Sequence, residues 1–162
     1  MCNQLHDEIL AFRGVLYSVQ TQLDLLNDFV GFTACPSTTY IDITQNTRII
    51  FSRTITNIGH AYNPSNGSFI CPRHGLYLST IAVWCNQNDI GRIDLIKGDD
   101  EIVIRAVAIA GVDTMEGASN TVVLECRARE EIWLKAGSNG RLETLQPSPQ
   151  TTFSGMVLRY LE

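Results

Sequence analysis

Few residues in this chain of 162 are placed to do acid–base or nucleophilic chemistry. The three histidines have no carboxylate or nucleophile at a spacing typical of a catalytic pair. The glycine-rich phosphate loop, the nucleophile elbow of esterases and the His-Glu-x-x-His motif of zinc proteases are absent from the sequence. We therefore expect a protein that binds or assembles, and not an enzyme.

Charge and ligand spacing argue against two further classes of site. The sequence has 12 Lys and Arg against 17 Asp and Glu, a net charge of −5 with no basic cluster, and such a field repels nucleic acid. Cys71 and His74 have the spacing of half a zinc site, but no second Cys/His pair follows at ligand spacing. We expect no nucleic-acid partner and no structural zinc.

Two kinds of covalent modification are suggested by residue type. The sequence has five cysteines, so at least one thiol is left over after pairing within a single chain. Asn66-Gly67-Ser68 is a sequon that predicts N-glycosylation of Asn66 on a turn. The same residues are equally well explained as a plain Asn-Gly turn.

A heptad pattern occupies residues 1–30. Apolar residues recur there at alternating spacings of three and four, which is typical of a left-handed coiled coil. The pattern begins at Cys2, which would lie in the seam and could cross-link chains, and ends at Val30, with the helix stopping near Gly31. The alternative is an amphipathic helix that folds back on its own domain. The seam predicted to drive oligomerisation consists of Leu5, Ile9, Phe12, Leu16, Val19, Leu23 and Leu26.

From Phe32 onward, apolar residues alternate with polar ones. About eight to ten short segments of this kind, separated by turn residues, predict a β-sandwich or barrel over residues 31–162. The longest apolar run, residues 102–112, is interrupted by Arg105 and Gly111 and is too short to span a bilayer. We expect no membrane insertion.

Several residues of this β region have the spacing of a family signature, F-x5-N-x4-Y-x6-F-x5-G-x-Y. With the C-terminal segment Thr152-Phe153-Ser154-Gly155, this pattern resembles the C1q globular head, a jelly roll shared with tumour-necrosis-factor-like ligands. The chain departs from the family at Ser79 and Ile81, where aromatic residues are usual. It is similar to cerebellins and to secreted C1q-domain proteins of invertebrates. The fold class expected is therefore an all-β, C1q/TNF-like jelly-roll sandwich preceded by an α-helical coiled coil. The signature residues are Phe51, Asn57, Tyr62, Phe69, Gly75 and Tyr77.

The resemblance implies a secreted, extracellular, parallel homotrimer. It also implies a disulfide between Cys71 and Cys126, which leaves Cys35 and Cys85 as thiols. Several members of the family bind calcium through carboxylates in apical loops. By that resemblance, Asp89 and Asp99 are expected to ligate calcium, with help from Asn86, Asn88 and Asp100.

Family members act by binding, and the resemblance leaves three functions open. The first is lectin-like pattern recognition of microbial surface molecules or glycans in innate immunity. The second is a cerebellin-like or cytokine-like ligand for a cell-surface receptor protein. The third is a purely structural trimerisation module. Contacting residues do not transfer from the family, and the loops to inspect first are residues 86–90, 98–101 and 111–117.

Overall fold

The computed structural model describes residues 2–38, 40–41, 43–137, 144–145 and 150–161. Within them, one helix, α1 at Cys2–Asn27, precedes a series of β-strands. No helix among these residues is long and apolar enough to cross a membrane. The strands are β1 Gly31–Cys35, β2 Tyr40–Ile41, β3 Arg48–Ile49, β4 Arg53–Ile58, β5 Tyr62–Asn63, β6 Ser68–Ile70, β7 Gly75–Cys85, β8 Ile90–Lys97, β9 Glu101–Ile109, β10 Glu116–Cys126, β11 Glu131–Ala136, β12 Thr144–Leu145 and β13 Thr152–Tyr160.

The strands form two main antiparallel sheets that pack face to face. The five-stranded sheet has the order β10-β7-β13-β1-β4, and the six-stranded sheet has the order β5-β6-β11-β8-β9 with β3 also paired to β11. The short strands β12 and β2 pair with each other. This jelly-roll sandwich confirms the predicted fold class.

Helix α1 ends at Asn27, earlier than the sequence pattern predicts. Val30, expected as the last seam position, is only 5% exposed and belongs to the core of the β domain. Its backbone oxygen accepts a hydrogen bond from the Val157 amide at 3.0 Å. The heptad interpretation of Val30 is therefore wrong, because contacts with the β domain take this residue out of the helix.

Stacked aromatic side chains fill the space between the sheets. The rings of Phe32 and Tyr62 stack with centroids 4.5 Å apart, and Phe153 meets Phe32 edge-on at 4.8 Å. Aromatic pairs in these geometries add to the free energy gained from burying their area. Burial along β7 alternates strictly from residue to residue, as expected for a strand with one face on a core.

The signature residues hold the fold together. Asn57 Nδ2 donates to the backbone oxygen of Tyr62 at 2.9 Å, and the Tyr62 hydroxyl donates to the Phe51 oxygen at 2.8 Å. Gly75 is required by a close approach, since a Cβ there would lie 2.6 Å from the backbone oxygen of Arg159. These residues build the sandwich and are not available to bind a ligand.

Candidate oligomerisation and ligand-binding surfaces

Helix α1 carries an apolar stripe that is open to solvent in the single chain. The seam residues with described side chains are about half exposed or more, from 45% at Ile9 to 71% at Phe12. The described part of the chain has no extensive packing between α1 and any strand. The fold-back alternative is therefore not what the structure adopts. The predicted seam side chains of Leu5 and Leu26 lie outside what the structure describes.

Apolar exposure on α1 extends beyond the predicted seam. Leu10, Val15 and Tyr17 are 52%, 60% and 78% exposed. Leu10 and Tyr17 stand one residue after seam positions, so a coiled coil built on the seam would leave them on its outer side. The heptad pattern does not predict them, because it concerns only the seam positions.

A cluster of polar and aromatic contacts fixes the end of α1 to the β domain. Arg73 Nη1 lies 2.6 Å from Asp28 Oδ2, and the Arg73 guanidinium lies 4.5 Å from the centroid of the Tyr160 ring. The Tyr160 hydroxyl donates to the Asp28 backbone oxygen at 2.6 Å. Burial raises the pKa of Tyr77 to about 12, so its hydroxyl remains a donor to the Arg73 backbone oxygen at 2.6 Å. We call this set of residues the helix junction.

The disulfide lies close to this junction. Cys71 and Cys126, the pair that the resemblance implied, are bonded to each other and fully buried. Cys71 therefore has no role in a zinc site. Next to the bridge, a hydrogen bond of 2.8 Å from His74 lowers the pKa of Glu125.

Two free thiols are buried in the β domain, at Cys35 and Cys85. Burial, with a smaller contribution from the nearby Asp89 carboxylate, raises the pKa of the Cys85 thiol to about 11. A thiol of this kind stays protonated and unreactive near neutral pH. Neither cysteine is placed for nucleophilic chemistry.

The outward face of the five-stranded sheet combines an apolar row with a hydroxyl row. Leu78 pairs across the strands with both Val123 and Met156, which are 53% and 40% exposed. In the next row the hydroxyls of Thr80 and Thr121 lie 2.9 Å apart. This face is a second surface, besides α1, on which another molecule could pack.

The structure does not bring the two predicted calcium ligands together. Asp89 precedes β8 and Asp99 follows it, so the length of an eight-residue strand, about 26 Å, separates them within one chain. Asp89 is buried and accepts the Ile90 amide at 2.8 Å, whereas Asp99 is exposed on a turn. The neighbouring Asp100 forms an ion pair with Lys135. The described residues contain no cluster of three or more His, Cys, Asp or Glu side chains placed to hold a metal ion.

The three candidate loops lie at two different ends of the sandwich. The backbone amide of Asn88 donates to the Gly111 oxygen at 3.0 Å, so the loops at residues 86–90 and 111–117 meet at one end of the sandwich. Residues 98–101 lie at the other end of β8, where the Gly98 amide donates to the Glu131 oxygen. The end formed by the first two loops, which we call the apex, is opposite the helix junction.

Asn66 lies on an exposed turn between β5 and β6. Its Oδ1 accepts hydrogen bonds from the Ser68 amide at 3.1 Å and from the Ser68 hydroxyl at 2.7 Å. Gly67 has a φ of 72°, which favours glycine in this turn. The turn accounts for these residues by itself, and glycosylation of Asn66 stays a prediction.

Two curated relatives match the chain over most of its length. Caprin-2 of Danio rerio is 26% identical over 135 residues, covering 80% of this chain and 14% of that protein. Complement C1q tumor necrosis factor-related protein 3 of Mus musculus is 28% identical over 114 residues, covering 70% of this chain and 46% of that protein. The chain thus spans less than half the length of either relative.

Solved structures share the fold. The globular domain of zebrafish complement 1qA protein has a TM-score of 0.67 at 11% identity, covering 82% of this chain and 99% of that one. Murine APRIL has a TM-score of 0.63 at 15% identity, covering 80% of this chain and 99% of that one. The profile of the C1q domain matches residues 31–158, which is most of the chain. The chain therefore belongs to the C1q domain family.

Proposed function

We propose that this protein is a secreted homotrimer that recognises microbial surface molecules, and glycans in particular, as part of innate immunity. C1q/TNF-like domains often form trimers and bind ligands, and this property of the family supports the proposal. In the proposal, α1 is the assembly stalk and the β domain that follows it is the binding head. The observation that carries it is the exposed apolar stripe of α1, which makes no extensive contact with the described strands of its own chain.

The position of α1 leaves the apical loops free for binding when chains associate along the exposed stripe. The helix leaves the β domain at the helix junction, and the apical loops lie at the opposite end. Three chains joined along α1 would therefore hold three apices away from the stalk. Weak contacts at single heads then combine, and such multivalency raises apparent affinity by about 10²- to 10⁴-fold when all sites engage.

The test compares glycan binding by the assembled chain with binding by a dissociated one. Phe12→Asp places a carboxylate in the predicted seam, outside the β domain, and is expected to separate the chains. The native protein should be retained on an array of microbial glycans, while the variant should lose about 10²-fold or more in apparent affinity. Parallel arrays with calcium and with chelator test whether calcium takes part in binding, as the family resemblance implies, and equal retention in both would count against it.

A second function is favoured by the apolar character of the apex. Ile109, Val112 and Met115 are 66%, 71% and 56% exposed, and a cluster of this kind is typical of a protein contact surface. These residues support a ligand for a cell-surface receptor protein. A blank glycan array together with saturable binding to a cell-surface protein would favour this function over glycan recognition.

A further inference from the structure

Arg92 differs from the other cationic side chains of the six-stranded sheet. It is the third residue of β8, close to the apex. Its neighbour Ile93 belongs to the hydrophobic core, so Arg92 projects from the outward face of this sheet. Arg92 is partly buried, and its Nε is fully covered without a hydrogen-bond acceptor among the described residues. The protein thus holds a guanidinium in place without giving it a counter-charge.

The other cations of this sheet are neutralised within the chain. Each of them forms an ion pair with a carboxylate of the same sheet or of the turn between β8 and β9. Among the described cations of the sheet, Arg92 alone lacks such a pair, so one positive charge is left over near the apex. The pairs are Arg48–Glu131, Lys97–Glu101, Arg105–Asp94 and Lys135–Asp100.

The nearest carboxylate along β8, that of Asp94, is already engaged. Asp94 lies two residues further along the strand and therefore on the same face as Arg92. Its side chain is 2% exposed, and both of its oxygens accept hydrogen bonds from Arg105, with Nη2 2.7 Å from Oδ2. The register of β8 with β9 sets Arg105 opposite Asp94 and sets the apolar Val107 opposite Arg92. Strand pairing therefore assigns the carboxylate to Arg105.

Gly137 holds the Arg92 side chain in a defined orientation. The Gly137 amide donates to the Arg92 backbone oxygen at 2.9 Å. A Cβ on Gly137 would lie 2.5 Å from Arg92 Cγ and 2.7 Å from Cδ. The stem of Arg92 therefore lies directly on bare backbone, and a larger residue at position 137 would displace it. A side chain that is already fixed loses little conformational freedom when a ligand binds to it.

An oxyanion has the chemistry that this position requires. A partly buried cation without a counter-charge is unfavourable, and a bound anion removes that cost. The planar guanidinium donates parallel hydrogen bonds that match the oxygens of carboxylate and phosphate groups. Since Nε is covered, the contact falls on the terminal Nη nitrogens. The adjacent Val107 is apolar and 40% exposed, and apolar surroundings strengthen a contact between charges.

We propose that Arg92 binds one carboxylate or phosphate group of an acidic glycan. This inference rests on the glycan recognition proposed above and specifies the chemical class of the glycan. A single surplus cation suits one anionic group and not a polyanion such as nucleic acid, which needs an extended positive surface. Gly137 is a positioning residue, because it gives the Arg92 stem room to lie on the backbone. Three chains joined along α1 would present three such groups near the apex.

Thermal unfolding of the full-length protein tests the anion site without a glycan. The probes are sodium glucuronate and inorganic phosphate, each compared with chloride at equal pH and ionic strength, with glucose as the neutral sugar. Tm of the native protein should rise saturably with at least one oxyanion and should not change with glucose. Arg92→Met keeps most of the stem and removes the charge, so Tm should not respond to either oxyanion. In chloride this variant should be at least as stable as the native chain, since it removes an uncompensated charge.

Retention on arrays of uronic-acid, phosphorylated and neutral glycans gives a second readout and distinguishes the two sources of oxyanion. Arg92→Met should weaken retention of the acidic glycans about 10-fold or more and leave neutral glycans unaffected. Arg92→Lys keeps the charge without the guanidinium and should weaken it several-fold. Arg53→Met is the matched control, because Arg53 is exposed on β4 and its removal changes the net charge equally. It should retain acidic glycans like the native chain.

The outcomes separate this inference from the proposed function. Equal retention of acidic glycans by the native chain and Arg92→Met would overturn the anion site while leaving glycan recognition in place. A native Tm that responds to neither oxyanion would overturn the anion site as well. Equal losses in Arg92→Met and Arg53→Met would mean that net charge alone drives retention, which also contradicts the inference. Retention of no glycan by the native chain would overturn glycan recognition, whereas a Tm response that Arg92→Met abolishes would still support the anion site.

Discussion

Replacing Leu16 by alanine tests whether the exposed stripe of α1 is the surface that joins the chains. Leu16 is 58% exposed in the single chain and lies in the middle of the predicted seam. Because α1 makes no extensive contact with any described strand, the change is expected to leave the β domain unaltered. Its effect should fall on assembly alone.

The expected size of the effect follows from the exposed fraction. Burying a whole leucine side chain contributes about 1.5–3 kcal/mol, so burying the exposed part of Leu16 contributes about 1–2 kcal/mol per chain. Three copies give about 3–6 kcal/mol per trimer. Since each 1.4 kcal/mol is a factor of ten, the dissociation constant of the trimer should rise about 100-fold or more.

Tyr17→Ala is the matched control for this experiment. Tyr17 is the next residue and is more exposed, at 78%, but it lies on the outer side of the predicted coiled coil. Leucine and alanine both favour helices, and alanine favours them more than tyrosine does, so neither change should unfold α1. Tyr17→Ala should leave the dissociation constant unchanged.

Sedimentation equilibrium over a series of protein concentrations measures both constants, with circular dichroism to verify helix content. A weaker assembly for Leu16→Ala alone is the expected result. The reasoning is refuted if Leu16→Ala assembles like the native chain, or if both variants weaken assembly equally. Equal weakening would mean that general apolar exposure on α1, and not the seam, drives association.

Three further predictions concern the head. Cys85 should resist thiol reagents in the native protein near neutral pH, because burial raises its pKa to about 11, and fast native labelling would contradict its burial. Replacing Cys71 and Cys126 together by serine should lower the free energy of unfolding in denaturant by about 4 kcal/mol, since the bridge closes a loop with a sequence separation of 55. Arg48→Met should cost about 1–2 kcal/mol at neutral pH, because it removes a two-bond contact to the Glu131 carboxylate.

The effect of Arg48→Met on stability should depend on pH, and the direction of this dependence follows from the pKa of Glu131. The hydrogen bonds from Arg48 lower the pKa of Glu131, so the native contact stabilises the fold above the ordinary carboxyl pKa. This stabilisation is lost as the pH falls through the lowered value. The native chain should therefore lose more stability on acidification than the variant does. Parallel acid profiles for the two chains would contradict the role of this ion pair.

For the disulfide, a decrease of less than about 1 kcal/mol in the free energy of unfolding of the double serine variant would contradict the estimate from loop closure.

The sequence predicts the helix and the β domain separately, because apolar residues recur with a different period in each. The stripe on α1 is local and needs no knowledge of the β domain. The C-terminal end of α1 could not be predicted in the same way, because Val30 packs in the core of the β domain. Its side chain lies so close to Gly59 that a Cβ on Gly59 would be 2.5 Å from Val30 Cγ1. That contact joins residues far apart in the chain.

The candidate sites depend even more on strand pairing. Asp89 and Asp99, which the family resemblance offers as calcium ligands, are close in sequence but occupy opposite ends of β8 within one chain, and only the strand geometry shows this. Arg92 and Gly137 are distant in sequence and become neighbours only through the register of β8 with β11. The Cys71–Cys126 pair was reached only through the family resemblance.

The most direct test of the account is the number of chains in the native particle. Sedimentation equilibrium of the intact protein at micromolar concentration should give three times the 18.0 kDa mass of one chain, in reducing buffer as well as without reductant. A lone particle of 18.0 kDa under these conditions would contradict the assembly on which the proposed avidity depends.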